Sequence, residues 1–526
     1  MKQLRQMSIL VRGTQLLLLV LALFLVVWLV PDAGKKHASG TEASEAETDG
    51  GDVAENEKNR AAGNLEEDES SAGEVIQDDA DENASDGETA LKRRTSRKQL
   101  YKRKKEPQKA QEETVYMPPT IWLATDLHYQ SPQMTDFQSA FDTYTMGNDG
   151  TIVPYLDEIT EAFLEEVRTA HPSALVLSGD LSQNGEKANH EALAEKLERV
   201  QAAGIPVLVI PGNHDINNPS ASVYSGGDRY PAEPTAPEDF ERIYKEFGYS
   251  EASSRDANSL SYTYDLGPSM RLLMLDTCQY EPRNKVGGMI KTETYEWIKE
   301  QLKQAARDSV ILLPVAHHNL LEESKVYADD CTIEHSEELI QMLEGENIPL
   351  FLSGHLHVQH FMRNNDIGIY EVVTSSLSTP PCQYGVLDYM EDETFYYYSR
   401  KVDMEKWARK NKSTDENLLN FDTYSPPVLK RIFYNQAYDA MKNSAEEETG
   451  SVFVKLTESE KQQMAKVYGD INAACYAGRA YEVVKEAVKQ PGYAMWKEYC
   501  YPAILYEYLE YIIEDAVRDY NVLSME

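Results

Sequence analysis

Six of the eleven histidines in this 526-residue sequence fall within a series of short motifs that also carry Asp, Asn and Gly. In chain order these are "DLH" (Asp126, His128), "SGD" (Asp180), "GNHD" (Asn213, His214, Asp215), "AHHN" (His317, His318) and "SGHLH" (His355, His357). Carboxylate and imidazole together suit borderline divalent and trivalent metals such as Zn, Fe and Mn. Residues one apart on an extended segment, as in D-x-H and H-x-H, can both ligate after a small bend. The glycines before Asp180, Asn213 and His355 let the backbone turn and approach closely. A lone GNHD is weak evidence, because Asn is also an ordinary turn residue. A lone H-x-H is weaker. The ordered set carries the chemistry.

Each motif needs an element to place it, and each follows an apolar run. "IWLATD" (Ile121 to Asp126), "SALVLSGD" (Ser173 to Asp180) and "IPVLVIPGNHD" (Ile205 to Asp215) read as buried strands that end in their polar residues. "SMRLLMLD", "SVILLPVAH", "IPLFLSGH" and "IGIYEVVTSS" read as further strands. Helical spacing appears in "VPYLDEITEAFLEEVRTA" (Val153 to Ala170) and in "KANHEALAEKLERVQAAG", which stops at Gly204. Strand–helix alternation predicts an α/β sheet domain. Ligands of such sheets bind at the carboxyl ends of the strands, where all these motifs lie.

The order D-x-H … GD … GNHD … H … GH-x-H resembles the calcineurin-like metallophosphoesterase superfamily, and within it the cyclic-nucleotide phosphodiesterase-like branch. The resemblance covers about Met117 to Arg400. It implies a four-layer α/β/β/α sandwich and a two-metal site. Asp126, His128 and His357 would hold the first ion, and Asn213, His317 and His355 the second. Asp180 would bridge both. His214 would be no ligand but the acid that protonates the leaving oxygen, and Asp215 would orient its surroundings. Of the His317–His318 pair the first matches the family ligand, although Asn319 stands where many members have Pro. Two ions about 3.5–4 Å apart lower the pKa of a shared water and offset charge on the phosphate. An imidazole titrates in the range that suits an acid on the opposite side.

The protein phosphatases of this superfamily continue the second motif as G-D-x-x-D-R-G. Here it reads "GDLSQNG", Gly179 to Gly185. The missing Arg removes a clamp for a dianionic monoester. That favours a phosphodiesterase over a Ser/Thr phosphatase, unless Arg229, Arg283 or Arg363 folds into the site. A phosphomonoesterase or nucleotidase is the alternative enzyme. A surface binding protein on the same fold is the alternative of another class, and it would be favoured by loss of a site residue that is in fact present.

The rest of the chain sets the context. A net charge of −37 argues against a nucleic-acid partner. The apolar run Leu16 to Val30, after Lys2, Arg5 and Arg12, just reaches the lower limit of spanning length when Thr14 and Gln15 are counted at its edge. We read it as an uncleaved membrane anchor, with a cleaved signal peptide as the other reading. The flanking charges leave the N-terminus in the cytoplasm and the catalytic domain outside. Thr41 to Ala90 has eighteen acids against two bases and reads as a disordered stalk. The basic block Leu91 to Lys109 is read as a solvated linker. The expected divisions are 1–34, tip and anchor; 35–115, charged linker; 116–400, catalytic domain; and 401–526, a Tyr-rich helical region. Expected partners are a small phosphoester and, through the anchor, the membrane. The five cysteines make no framework, although Cys475 could bridge Cys500. His171, His190, His335 and His360 read as structural, with lining of the pocket the alternative for His360, which follows the H-x-H motif. The Gly/Pro-rich insertion Pro219 to Pro237 follows His214 closely and could select substrate.

Overall fold

The computed structural model describes residues 118–525, apart from 147–149, 325, 327–329, 347, 365–367, 391–393 and 448–450. The expected anchor, stalk and basic block lie outside the described residues. Among those described, no helix is long and apolar enough to cross a membrane.

The strands begin with β1 (Thr120–Ala124), β2 (Ala174–Ser178), β3 (Val207–Ile210), β4 (Ser222–Ser225), β5 (Asp228–Pro231), β6 (Ser254–Arg255), β7 (Tyr262–Asp265) and β8 (Met270–Leu275). They continue with β9 (Gly288–Met289), β10 (Ile311–Ala316), β11 (Ile333–Glu334), β12 (Leu350–Ser353), β13 (His360–Asn364), β14 (Ile369–Val373), β15 (Gln383–Tyr389), β16 (Phe395–Lys401) and β17 (Val522–Met525). One sheet has the order β17-β16-β15-β1-β2-β3 and the other β13-β14-β12-β10-β8-β7-β6. The strands β1, β2 and β3 are parallel, as are β8, β10, β12 and β14. Antiparallel strands fill the rest of both sheets. The sequence reading had found the parallel strands. Buried on both faces, they are continuous apolar runs.

Strand periodicity separates the layers. Leu272 and Met274, Leu313 and Val315, and Leu350 and Leu352 share one core with Ile121 and Leu123 of the first sheet. Their neighbours Leu273, Leu275, Leu312 and Phe351 pack instead with Ile298, Leu302, Leu339 and Leu343. These last four come from the helices Thr292–Asp308 and Ser336–Gly345. On the first sheet Trp122 stacks 6.5 Å from Phe163, on the helix Leu156–Ala170. The layers therefore run helix, sheet, sheet, helix.

Beyond Lys401 the chain forms the helices Met404–Lys410, Glu416–Leu419, Phe421–Glu447, Glu458–Tyr476, Ala480–Ala487, Pro491–Tyr499 and Ala503–Asp515. The last five share a core around Leu429, Met464, Tyr468, Trp496 and Leu509, whereas Met404, Ala408 and Leu418 of the first two join the core that holds Ile121 and Leu123. Trp496 donates its indole N–H to the Met464 carbonyl at 2.9 Å. Thr457 and Glu460 cap the helix Glu458–Tyr476 reciprocally. Two expectations need correction. The region is not helical throughout, because β17 returns to pair with β16 in the first sheet. No bridge joins Cys475 to Cys500, since both are thiols without a disulfide.

Candidate active site

The carboxyl ends of β1, β2, β3, β10 and β12 meet where the two sheets adjoin. Sharp turns deliver the side chains. Asp126, His128, Asp180, His355 and His357 all have positive φ, between 44° and 70°. Such backbone is costly outside glycine and occurs where the surroundings enforce it. Hydrogen bonds supply that enforcement. Thr125 Oγ1 donates to Asp126 Oδ2 at 2.7 Å, the His355 N–H donates to the same oxygen at 3.0 Å, and Ser376 and Ser378 both donate to the Asp126 carbonyl at 2.9 Å.

The expected ligands come together. Asp126, His128 and His357 offer ligand atoms within 4.8 Å of one another, and so do Asp126, Asp180 and His317. His128 Nε2 lies 3.1 Å from His357 Nε2. Asp180 Oδ2 sits between the two halves, 3.9 Å from His128 Nε2 and 3.4 Å from His317 Nε2. On the far side, Asn213 Oδ1 and His355 Nδ1 lie 3.1 and 3.3 Å from His317 Nε2. The His317 ring is aimed by its Nδ1–H, which donates to the Ser178 carbonyl at 2.9 Å. His318 is occupied otherwise. Its Nε2 donates to the Val286 carbonyl and its Nδ1 accepts from Thr277, both at 2.8 Å.

His214 stands beside this cluster, its ring 4.9 Å from that of His128. Its backbone N–H donates to Asp180 Oδ1 at 2.8 Å. Its Nδ1 donates to the Gln183 carbonyl at 3.0 Å, with Asn184 Oδ1 at 3.3 Å. Asp215 turns inward instead, accepting from the N–H groups of Leu181, Ser182 and Gly212. It ties the second motif to the third. Gly212 has no substitute here: a Cβ would lie 2.1 Å from the Asp180 nitrogen and 2.2 Å from Asp180 Oδ1. Gly212→Ala is expected to disrupt the turn that carries Asn213 and His214, lowering the melting temperature and metal content together in one preparation.

The electrostatics favour positive charge at the centre. Burial opposes ionisation of Asp126, but His357 and His317 hold its carboxyl well below the usual range. Burial also opposes ionisation of Asp180, and His317, His214 and His128 outweigh it. Burial disfavours a charged His317, yet Asp180 pushes it up to about 9. Burial and the neighbouring His317 pull His355 down to about 4. Asp126 Oδ1 is buried without a hydrogen bond, and its ion-pair partner is His357 Nε2 at 3.3 Å, itself an expected ligand. An ionised oxygen in that condition needs a cation. The donor set is hard oxygen plus imidazole, which fits Mn, Zn or Fe.

Other residues shape the site without having stood out in the sequence. His190, read as structural, is buried and holds Ser182 Oγ and the Asp215 carbonyl at 2.9 and 3.1 Å. Glu371 accepts from the N–H groups of Leu320 and Leu321 and from Ser353 Oγ, and burial pushes it up to about 7. It braces the turns after His318 and before His355. Asp276 accepts from the N–H groups of Leu260 and Cys278, and the Cys278 thiol reaches the Pro211 carbonyl at 3.3 Å. A lone acid inside the apolar "IYEVV" and another ending "MRLLMLD" were the available signals. His360 binds Asp515, in keeping with its structural reading and not with a place lining the pocket. Arg229 is spent on Ser222 and Ser220, and Arg363 lies 4.7 Å over the Tyr370 ring. Arg283 is exposed. His171 and His335 end and open helices, as read.

Comparison with known proteins agrees with this geometry. Residues 119–359 match the family of calcineurin-like phosphoesterases, and residues 403–519 match the C-terminal domain of cyclic nucleotide phosphodiesterase. Over residues 119–359 the chain therefore carries a calcineurin-like phosphoesterase domain. One relative, described as a probable cyclic nucleotide phosphodiesterase of Synechococcus, is 23% identical over 197 residues, which are 37% of this chain and 62% of that protein. Another, a 3′,5′-cyclic adenosine monophosphate phosphodiesterase of Haemophilus influenzae, is 24% identical over 223 residues, 41% of this chain and 66% of that protein. The chain thus spans less than two thirds of both. A dimetal phosphatase from Danio rerio aligns over 54% of this chain and 97% of its own at 15% identity, with a TM-score of 0.38.

Proposed function

We propose that the protein is a metal-dependent phosphoester hydrolase that cleaves phosphodiesters, with 3′,5′-cyclic nucleotides as the first substrates to try. The observation that carries this reading is the placement of Asp180 Oδ2 between His128 and His317, with His214 alongside. The names of the relatives support the substrate class. So does "GDLSQNG", which lacks the arginine that would grip a monoester.

Asp126, His128 and His357 would hold one ion and Asn213, His317 and His355 the other, with Asp180 common to both. Two such ions would supply Lewis acidity toward the phosphate oxygens and a water acidic enough to attack at neutral pH. The chain supplies the rest. With Nδ1–H committed to the Gln183 carbonyl, His214 carries its transferable proton on Nε2. That atom protonates the leaving oxygen. The Asp180–His214 backbone hydrogen bond fixes the acid relative to the bridging carboxylate, so both are placed by one contact. If Leu16 to Val30 anchors the chain as read, the substrate is met outside the cell.

The test uses the full-length protein with bis-p-nitrophenyl phosphate and p-nitrophenyl phosphate. Chelation is expected to abolish turnover, and Mn or Zn to restore it, with the diester preferred. A monoester preference would move the reading to a phosphatase or nucleotidase. A metal-loaded protein that turns over neither would point to the binding scaffold.

A further inference from the structure

The two ligand-bearing loops of the second sheet end against one face of the C-terminal helices. After β12, Leu356, the residue between His355 and His357, packs against the buried cluster of Val358, Met362 and Val373, and Cys475 and Tyr476 pack against the same cluster. The next N–H, of Gln359, donates to the Tyr476 carbonyl at 3.1 Å. His360 then binds Asp515, Nε2 to Oδ2, at 2.8 Å, and its ring lies 4.2 Å from that of Tyr520. After β10, Leu321 joins the same cluster as Leu356. Two residues on, the Glu323 carbonyl accepts from the Tyr511 hydroxyl. Glu323 and His360 are 7% and 5% exposed, while their partners Tyr511 and Asp515 are half-buried.

From this convergence we propose that the face formed by Cys475, Tyr476, Tyr511, Asp515 and Tyr520 is a positioning element of the metal centre. It sets where His317, His355 and His357 stand, and it rests on the metal-site reading above. The physical argument is one of leverage. Tight turns carry the ligands, and each such turn is free to shift unless something packs against its outer side. The first-sheet ligands are held by short local contacts, Asp126 by Thr125, Ser376, Ser378 and the His355 N–H, and Asp180 by the His214 N–H. The second-sheet turns are braced by Glu371 on the neighbouring strand β14 and, from outside the sheet, by the C-terminal face. Removing one partner of a buried polar pair costs more than the pair contributes, because the other is left unsatisfied. Asp515 and Tyr511 touch neither ion nor substrate, so they act through the loops.

The experiment measures Mn and Zn affinity of the full-length protein by competition with a chromophoric chelator. No turnover is required. Asp515→Ala is expected to weaken the less tightly held ion about 10-fold, the range found for residues that orient metal ligands. Tyr511→Phe, which keeps its ring, is expected to weaken it by a smaller factor. Asp515→Asn keeps an acceptor for His360 and is expected to recover most of the loss. Tyr493→Phe is the control, since it loses a 2.8 Å hydrogen bond to Glu510 within the same helical core. Its affinity is expected to match the parent. Parent-like affinity in Asp515→Ala and Tyr511→Phe would overturn the proposal, as would an equal loss in the control. A parent that binds both ions without phosphoester turnover would sink the hydrolase reading and leave this one standing.

Discussion

Asp180→Asn lowers turnover of bis-p-nitrophenyl phosphate by about 1,000-fold, the equivalent of about 4 kcal/mol of lost transition-state stabilisation. The substitution is nearly isosteric. Its carbonyl oxygen can still accept the 2.8 Å bond from the His214 N–H. What disappears is the charge on the oxygen that faces both His128 and His317, and an NH2 group takes its place. The fold is therefore expected to survive while the shared ligand is lost. Metal content by mass spectrometry should fall by about one ion per chain, alongside a near-parental melting temperature. Activity within about tenfold of the parent would remove Asp180 from the bridging role.

His214→Ala gives a loss of different character. General acids contribute about 10²–10⁴ to rate. That contribution is needed when the departing oxygen is a poor leaving group and is largely dispensable when p-nitrophenolate departs. We expect about a 1,000-fold drop on an alkyl phosphodiester or cyclic nucleotide and less than about tenfold on bis-p-nitrophenyl phosphate. Both ions should remain bound, because His214 Nδ1 is held by Gln183 and the ring stands outside the ligand set. The measurement is kcat/KM across a series of leaving groups. Equal losses across the series, or lost metal, would place His214 among the ligands instead.

The site was more legible in the sequence than the fold that surrounds it. A strand end followed by a tight turn leaves a local trace: an apolar run, often a glycine, then Asp, Asn or His. Gly212 and Gly354 show why. A Cβ at Gly354 would lie 2.0 Å from Thr125 Oγ1, so the turn excludes other residues. Positioning contacts leave no such trace. Glu371 serves the His317 and His355 turns from a strand distant in sequence, and His190 reaches Asp215 from a helix. Their spacing encodes nothing about their partners. The strands β15 and β16 were missed because "QYGVLDY" and "FYYYSRK" lack the aliphatic run of a parallel strand. β17 was missed because only four residues follow a long helical pattern.

That last strand bears on how the molecule is made. β17 pairs with β16 from Phe395 opposite Met525 to Tyr398 opposite Val522. About 120 residues of helix and turn separate the two strands along the chain. During synthesis, β16 emerges long before its neighbour exists. Its open edge, rich in Phe and Tyr, is then a template for pairing with another chain. The six-stranded sheet is completed only once the helical region has been translated and folded back. The late strand thus makes completion of the first sheet wait on a segment translated long after the rest of that sheet. Released chains truncated before β17 should aggregate more readily than chains that carry it.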